Sequence, residues 1–68
     1  MKTTIEQIEH AAELIAEEID RAAAEEGSEP AAVLAETDIR AELQRCGLNR
    51  VDAAAIAPQV RAMLAERY

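Results

Sequence analysis

The most distinctive feature of this sequence is a series of acidic residues whose spacing matches one side of a helix. Successive members are 3, 4, 4 and 3 positions apart, close to the ~3.6 residues per turn of an α-helix. Like charges four residues apart cost a few tenths of a kcal/mol each, on the order of 0.2–0.5. Helix stability alone therefore does not explain the series. We call it the acidic row, and its members are Glu6, Glu9, Glu13, Glu17 and Asp20.

The acidic row has the chemistry of a docking surface for cations. Carboxylates on successive turns lie ~5–6 Å apart, which resembles the spacing of phosphates along a nucleic-acid strand. They accept paired hydrogen bonds from arginine and steer association with a basic target. The leading hypothesis is a small inhibitor or modulator that occupies the basic, nucleic-acid-handling site of another protein. Phage anti-defence (anti-CRISPR-like) proteins offer an analogy of class only. The alternative is that the acids only keep the protein in solution.

Two other residues of the same predicted helix have binding potential. Leu14 lies well away from the apolar stripe. A single exposed leucine is ordinary, but Leu14 could also anchor a partner, so it joins the acidic row as a predicted partner-binding residue. His10 lies one turn from Glu6 and from Glu13. A metal site needs several strong ligands, and this sequence has a single histidine, so no metal is expected.

Catalysis is not expected from this sequence. It shows no Gly-rich phosphate loop, no Cys–His pair in a suitable register and no Ser/His/Asp set. Cys46 stands alone and falls near the end of a predicted helix, where the helix dipole disfavours a thiolate. We expect it to pack in the core or at its boundary. The prediction is a protein that is not an enzyme and needs no cofactor.

Charge is distributed unevenly along the 68 residues, whose net charge is −7. Residues 1–36 hold ten acids and two bases (−8), and residues 37–68 hold four acids and five arginines (+1). The acidic half repels phosphate backbones and anionic lipid, so direct nucleic-acid binding is not expected. A helix-turn-helix reading of 39–58 is disfavoured by the same charge. We expect the arginines to serve as counter-charges to the acidic half.

The predicted location is the cytoplasm. A lone cysteine suits a reducing compartment. The chain contains no apolar run of the length that a signal peptide or a membrane span requires, so no membrane contact is expected.

Capping signals divide the chain into helices. Thr3 with Glu6, or Thr4 with Gln7, forms a capping box, and the first helix is predicted over 4–26, ending at Gly27. A short helix over 29–36 follows, with Ser28 as its predicted N-cap.

The second half contains two further predicted helices. Thr37 is the predicted N-cap of a helix that runs to Cys46 and stops at Gly47, with a Schellman ending. Asn49 or Asp52 caps the last helix. Pro58 either kinks that helix or separates two helices. The predicted fold is all-α: one domain over 1–68, a small bundle of one long N-terminal helix and about three shorter helices.

The apolar stripe of the first helix raises the question of self-association. It runs from Ile5 to Ala23 and is longer than any single later helix. Either the short helices cover it in series, or a second copy covers the remainder. A domain of this size is only marginally stable alone, so the sequence favours a homodimer, and the structural or accessory subunit of the alternative hypothesis would use the same seam. The predicted seam residues are Ile8, Ile15 and Ile19.

Overall fold

The computed structural model describes residues 4–68, and these residues form four helices without strands. The helices are α1 (Ile5–Glu26), α2 (Pro30–Glu36), α3 (Ile39–Arg45) and α4 (Arg50–Arg67). The prediction of an all-α bundle with one long N-terminal helix and three shorter ones is confirmed.

A capping box starts α1. The Thr4 hydroxyl accepts a hydrogen bond from the Gln7 backbone N–H at 3.2 Å, and the Gln7 side chain accepts one from the Thr4 N–H at 2.9 Å. The alternative pair built on Thr3 lies outside the described residues. At the other end, Gly27 adopts φ +69°, and the N–H of Ser28 donates to the Ala23 carbonyl at 2.9 Å. Local signals therefore fix both ends of the long helix.

Two predicted caps differ in the structure, one at the start of α2 and one between α2 and α3. Glu29, not Ser28, occupies the N-cap of α2, and it makes no side-chain hydrogen bond there. Thr37 ends α2 instead of starting α3, because its hydroxyl donates to the Val33 carbonyl one turn back at 2.7 Å. Asp38 caps α3, and its carboxylate accepts from the Ala41 N–H at 3.2 Å. An ionised carboxylate can only accept, which suits it to an N-cap.

The turn after α3 is the predicted Schellman ending. Gly47 has φ +107° and its N–H donates to the Gln44 carbonyl at 3.0 Å. The N–H of Leu48 donates to the Leu43 carbonyl at 3.2 Å, which is the second bond of that motif. The helix itself stops at Arg45, so Cys46 is its C-cap rather than its last residue.

The last helix is continuous through its proline. Asn49 is the N-cap, and its side-chain oxygen accepts from the Asp52 N–H at 2.8 Å. Pro58 lies inside α4, so it does not divide the segment into two helices. The cost of this arrangement is one missing helical hydrogen bond, since proline has no N–H.

The core is built from aliphatic side chains of all four helices. Ile15, Leu43, Val60 and Leu64 are its largest fully buried members. The three predicted seam residues belong to the same core: Ile8, Ile15 and Ile19 are 6%, 1% and 2% exposed. Helices α2 and α4 both contact α1. The shorter helices of the same chain thus cover the stripe from Ile8 onward, while Ile5 stays 56% exposed. The three isoleucines are buried within one chain and not available as a seam to a second copy.

Candidate protein-docking surface

All five members of the acidic row are exposed on α1. The helix holds them in place because its buried face carries Ile8, Ile15 and Ile19, which pack against the rest of the bundle. With that face fixed, the acids at the intervening positions must point away from the core. The capping box and the Gly27 ending keep the helix intact over the whole length of the row.

One member of the row forms an ion pair with α4. The Arg67 guanidinium donates to the Glu13 carboxylate at 2.9 Å. Both side chains remain substantially exposed, at 44% and 62%. The hydrogen bond to Glu13, and then the negative charge of Glu13, raise the pKa of Arg67 above its usual value. A pair this exposed holds its partners weakly, so Glu13 can exchange Arg67 for another cation.

A second member of the row contacts the tyrosine that follows α4. The Tyr68 hydroxyl lies 2.8 Å from the Asp20 carboxylate and 3.2 Å from the Ala16 carbonyl, and its single proton is shared between these two acceptors. Partial burial, then the hydrogen bond and charge of Asp20, raise the pKa of Tyr68 above its ordinary value. This contact brings no counter-charge to Asp20, because the tyrosine supplies a proton donor and no positive charge.

The other three acids of the row make no ion pair or side-chain hydrogen bond to any residue within 4–68. They are Glu6, Glu9 and Glu17. Most of the arginines are occupied elsewhere or face solvent. Arg61 donates to the carbonyls of Leu34 and Thr37 at 3.4 and 2.9 Å, and so links α4 to the C-terminal end of α2. The expectation that the arginines neutralise the acidic half is therefore right for Arg67 and wrong for Arg61.

Arg45 does not neutralise the acidic half either, contrary to the expectation from the sequence. It pairs with Glu42 one turn earlier in α3, at 3.2 Å, and both residues lie in the less acidic half of the chain. The negative charge of the first half is thus left largely uncompensated across the part of the chain that the structure describes.

A shallow groove borders the row on the side of α4. Glu6, Glu9 and Glu13 form its α1 wall, and Met63 and Glu66 lie on its α4 wall. Glu66 adds a carboxylate to this docking surface. It could not be assigned there from the sequence, because no local pattern shows which residue of α4 lies against α1. Four of its lining residues are acidic, and Arg67, which pairs with Glu13, also lines it.

A second groove lies between α1 and the turn that joins α3 to α4. Leu14 lines it together with Ala11 from α1 and with Cys46 and Leu48 from the turn. Leu14 is 38% exposed, so the structure places this predicted anchor beside the acidic row in a recess, not on an open helix face. The sequence could not show this, because the turn is more than 30 positions away along the chain.

Cys46 and His10 have no arrangement suited to reaction chemistry. Cys46 is exposed, which corrects the expectation that it packs in the core or at its boundary. Desolvation, and then the charges of Glu18 and Glu42, raise the pKa of its thiol, which disfavours the thiolate. His10 is exposed and borders both grooves. Among residues 4–68, no three or more His, Cys, Asp or Glu side chains are grouped closely enough to hold a metal ion.

Glu18 and Glu42 form a contact of like charge between α1 and α3. Burial raises the pKa of Glu42, and the neighbouring Glu18 carboxyl raises it further, while Arg45 opposes the shift. This pair lies outside the acidic row, on the other side of α1, and shows that the acidic character of α1 extends to the α3 side.

None of the four described helices combines the length and the apolar character needed to cross a bilayer. Comparisons with protein-family models, with curated proteins and with solved structures find no match to the chain.

Proposed function

We propose that this protein binds a basic surface of another protein through the acidic row of α1 and thereby inhibits or modulates that partner. The observation that supports the proposal is the exposure of five carboxylates on one helix, of which only Glu13 forms an ion pair within residues 4–68. Binding, and not catalysis, is the proposed activity. The site of action in this proposal is the cytoplasm.

Nucleic-acid-handling proteins are the proposed class of target. Their binding sites present arginines and lysines at the spacing of phosphates, and carboxylates one turn apart on a helix have a similar spacing, ~5–6 Å. The net charge of −7 favours fast, oriented association with such a site. Direct binding to nucleic acid is not proposed, because the same charge repels phosphates.

The test is charge reversal at the three acids that have no partner within 4–68. We expect Glu6→Lys, Glu9→Lys and Glu17→Lys, combined, to abolish capture of the partner from a lysate of the native host while the far-UV circular dichroism stays helical. Glu13 is left unchanged, because a lysine there would face Arg67 and weaken the contact between α1 and α4.

The matched control reverses three exposed acids outside the row: Glu25, Glu26 and Glu36. It changes the net charge by the same amount, so it should retain the partner if the position of the acids matters. If the control and the row variant lose binding to the same extent, the net charge of the protein and not the position of its acids determines the affinity. For the identified partner, affinity should fall steeply between low and high salt.

The alternative function is a structural or accessory subunit that self-associates. The burial of Ile8, Ile15 and Ile19 inside one chain leaves self-association without the seam that the sequence predicts. A homodimer would have to form through other residues, against the repulsion of two chains of charge −7. Sedimentation equilibrium distinguishes these proposals, because the accessory subunit requires a stable dimer and the docking protein does not.

A further inference from the structure

The groove that contains Leu14 combines an apolar part with polar residues, among them Thr4, Gln7 and Asn49. Its apolar lining comes from Leu14 and Ala11 of α1 and from Leu48 of the turn between α3 and α4. Leu14 is one of three large apolar side chains exposed among the described residues, and the one that lies in a recess formed by two separate parts of the chain. We call this recess the Leu14 groove. A recess with walls excludes water from an inserted side chain better than an open helix face does.

The margin of the Leu14 groove is acidic. Glu6 and Asp52 line it from α1 and α4, and no lysine or arginine lies among its lining residues. The Asp52 carboxylate accepts a hydrogen bond from the Asn49 amide at 3.2 Å, which leaves its charge in place. Glu6 belongs to the acidic row as well, so the groove adjoins the row at its N-terminal end.

The negative charge around the Leu14 groove indicates which kind of molecule can bind there. A second copy of the chain would bring seven further net negative charges to a margin that has no cation of its own, which disfavours self-association there. A segment with cations around an apolar side chain satisfies both the interior and the margin.

We propose that the Leu14 groove receives an apolar side chain from a basic, amphipathic helix of the partner protein, whose flanking lysines or arginines reach Glu6 and Asp52. This inference rests on the proposed function and deepens it, because it assigns the partner an apolar anchor as well as a basic surface. The acidic row supplies the salt-dependent part of the binding, and the groove supplies a part that salt does not screen.

The experiment uses a defined probe. A fluorescently labelled helical peptide carries leucines at positions i, i+4 and i+7 with lysine and arginine on both flanks, and a second peptide of the same charge has alanines in place of the leucines. Fluorescence anisotropy at physiological salt measures the affinity of each. We expect the leucine peptide to bind wild type saturably, and the alanine peptide to bind about tenfold more weakly.

Two variants of Leu14 test the groove itself. Leu14→Gln keeps a good helix former but is polar, and should weaken binding of the leucine peptide about tenfold. Leu14→Met keeps the apolar character and should bind as wild type does. Val51→Gln is the matched control, because Val51 is 76% exposed and does not line the groove, and it should leave the affinity unchanged.

Several results would overturn the inference. They are the absence of saturable binding to wild type, equal affinity for the two peptides, equal affinity of Leu14→Gln and wild type, and a wild-type dimer that Leu14→Gln dissociates. Glu9 and Glu17 lie outside the groove, so their reversal tests the row separately. If natural-partner binding depends on Glu9 and Glu17 but not on Leu14, the proposed function stands and the groove inference fails. If Leu14→Gln loses the peptide while Glu9→Lys with Glu17→Lys keeps the natural partner, the proposed function fails.

Discussion

Arg67 and Glu13 meet at 2.9 Å although 54 positions separate them in the sequence. Their ion pair joins the last turn of α4 to the middle of the acidic row. It is the one point within residues 4–68 at which an arginine of the chain neutralises a member of the row. Arg67 therefore competes with any cation that a partner would bring to Glu13.

Removal of Arg67 is expected to strengthen binding to a basic partner. Arg67→Gln frees Glu13 and removes a positive charge from the docking surface, so the association rate and the affinity should both rise, by about two- to fivefold at low salt. Surface plasmon resonance at two salt concentrations measures this. Arg50→Gln makes the same change in net charge at the far end of α4 and should have a smaller effect. Equal gains from both variants would show that the position of Arg67 is unimportant.

Tyr68 provides a spectroscopic readout of the contact between α1 and the end of α4, because it is the single aromatic residue of the chain. Its raised pKa means that the folded state favours the protonated phenol. The protonated phenol therefore contributes to the free energy of unfolding. This contribution is complete below the pKa of tyrosine in the unfolded state and is lost as pH rises through the higher folded-state pKa.

Absorbance titration should therefore show tyrosinate forming at a higher pH in the native protein than in urea. Asp20→Asn removes the charge next to the phenol and should lower the native value toward the unfolded one. Tyr68→Phe should cost about 0.5–1 kcal/mol at neutral pH, the usual worth of a partly exposed hydrogen bond. Identical titrations in both solvents would contradict the contact.

The helix ends were predictable from the sequence wherever one residue type suits only one role. Gly27 and Gly47 take positive φ angles that other residues avoid. The cap of α4 stayed open between Asn49 and Asp52, because both have a side-chain acceptor, and the structure gives it to Asn49. Thr37 was assigned wrongly because its hydroxyl can donate as well as accept, and here it donates to Val33. The sequence pattern at such a residue is compatible with the end of one helix and the start of the next.

The site was predictable only in its local part. Regular spacing placed the acidic row on one exposed face of α1 because all its members share one helix. The neighbours of that face come from distant parts of the chain. Leu48 beside Leu14 and Arg67 beside Glu13 depend on how the helices pack. The stripe of α1 could equally have been covered by a second copy, since the same apolar residues suit either packing.

Glu18 and Glu42 are expected to destabilise the fold at neutral pH. The folded-state pKa of Glu42 is raised by desolvation and by Glu18, so stability is greatest when Glu42 is protonated and falls as pH rises through that value. Glu18→Gln removes the repulsion and supplies a donor for Glu42, while the pair of Glu42 with Arg45 is kept. We expect a gain of a few tenths of a kcal/mol at pH 7 in urea unfolding.

The gain from Glu18→Gln should vanish near pH 4, where carboxyl groups take up protons. Glu17→Gln relieves repulsion within the acidic row instead, because Glu17 lies four residues from Glu13. Its gain at pH 7 should be the same with and without Glu42→Gln, whereas the gain from Glu18→Gln should shrink when Glu42 is replaced. A gain that is the same at both pH values would show that the repulsion between Glu18 and Glu42 is not its source.

Arg61 is expected to stabilise the bundle through the end of α2. Its guanidinium donates to the Thr37 carbonyl at 2.9 Å and to the Leu34 carbonyl at 3.4 Å. The Leu34 carbonyl also accepts from the Thr37 N–H at 3.1 Å, so Arg61 adds a second donor at the end of α2. Arg61→Lys keeps the charge but cannot span both acceptors. We expect a loss of about 1 kcal/mol, or roughly 4–8 °C in the melting temperature of a domain this small. Arg40→Lys, an exposed arginine of α3, is the control and should melt as wild type does.

Pro58 is expected to limit the stability of α4. Since proline lacks an N–H, the Ala54 carbonyl one turn earlier has no helical donor at that position, and the ring crowds the same turn. Pro58→Ala restores the hydrogen bond at an exposed site, so the free energy of unfolding should rise by about 1–3 kcal/mol. The mean residue ellipticity at 222 nm should become more negative.

Gln59→Ala is the control for the higher helix propensity of alanine, because Gln59 is a neighbouring exposed position. Its free energy of unfolding should rise by less than about 0.5 kcal/mol. If Pro58→Ala is no more stable than Gln59→Ala, a bend at Pro58 is needed to pack α4 against α1 and α3, and the restored hydrogen bond is offset by lost core contacts.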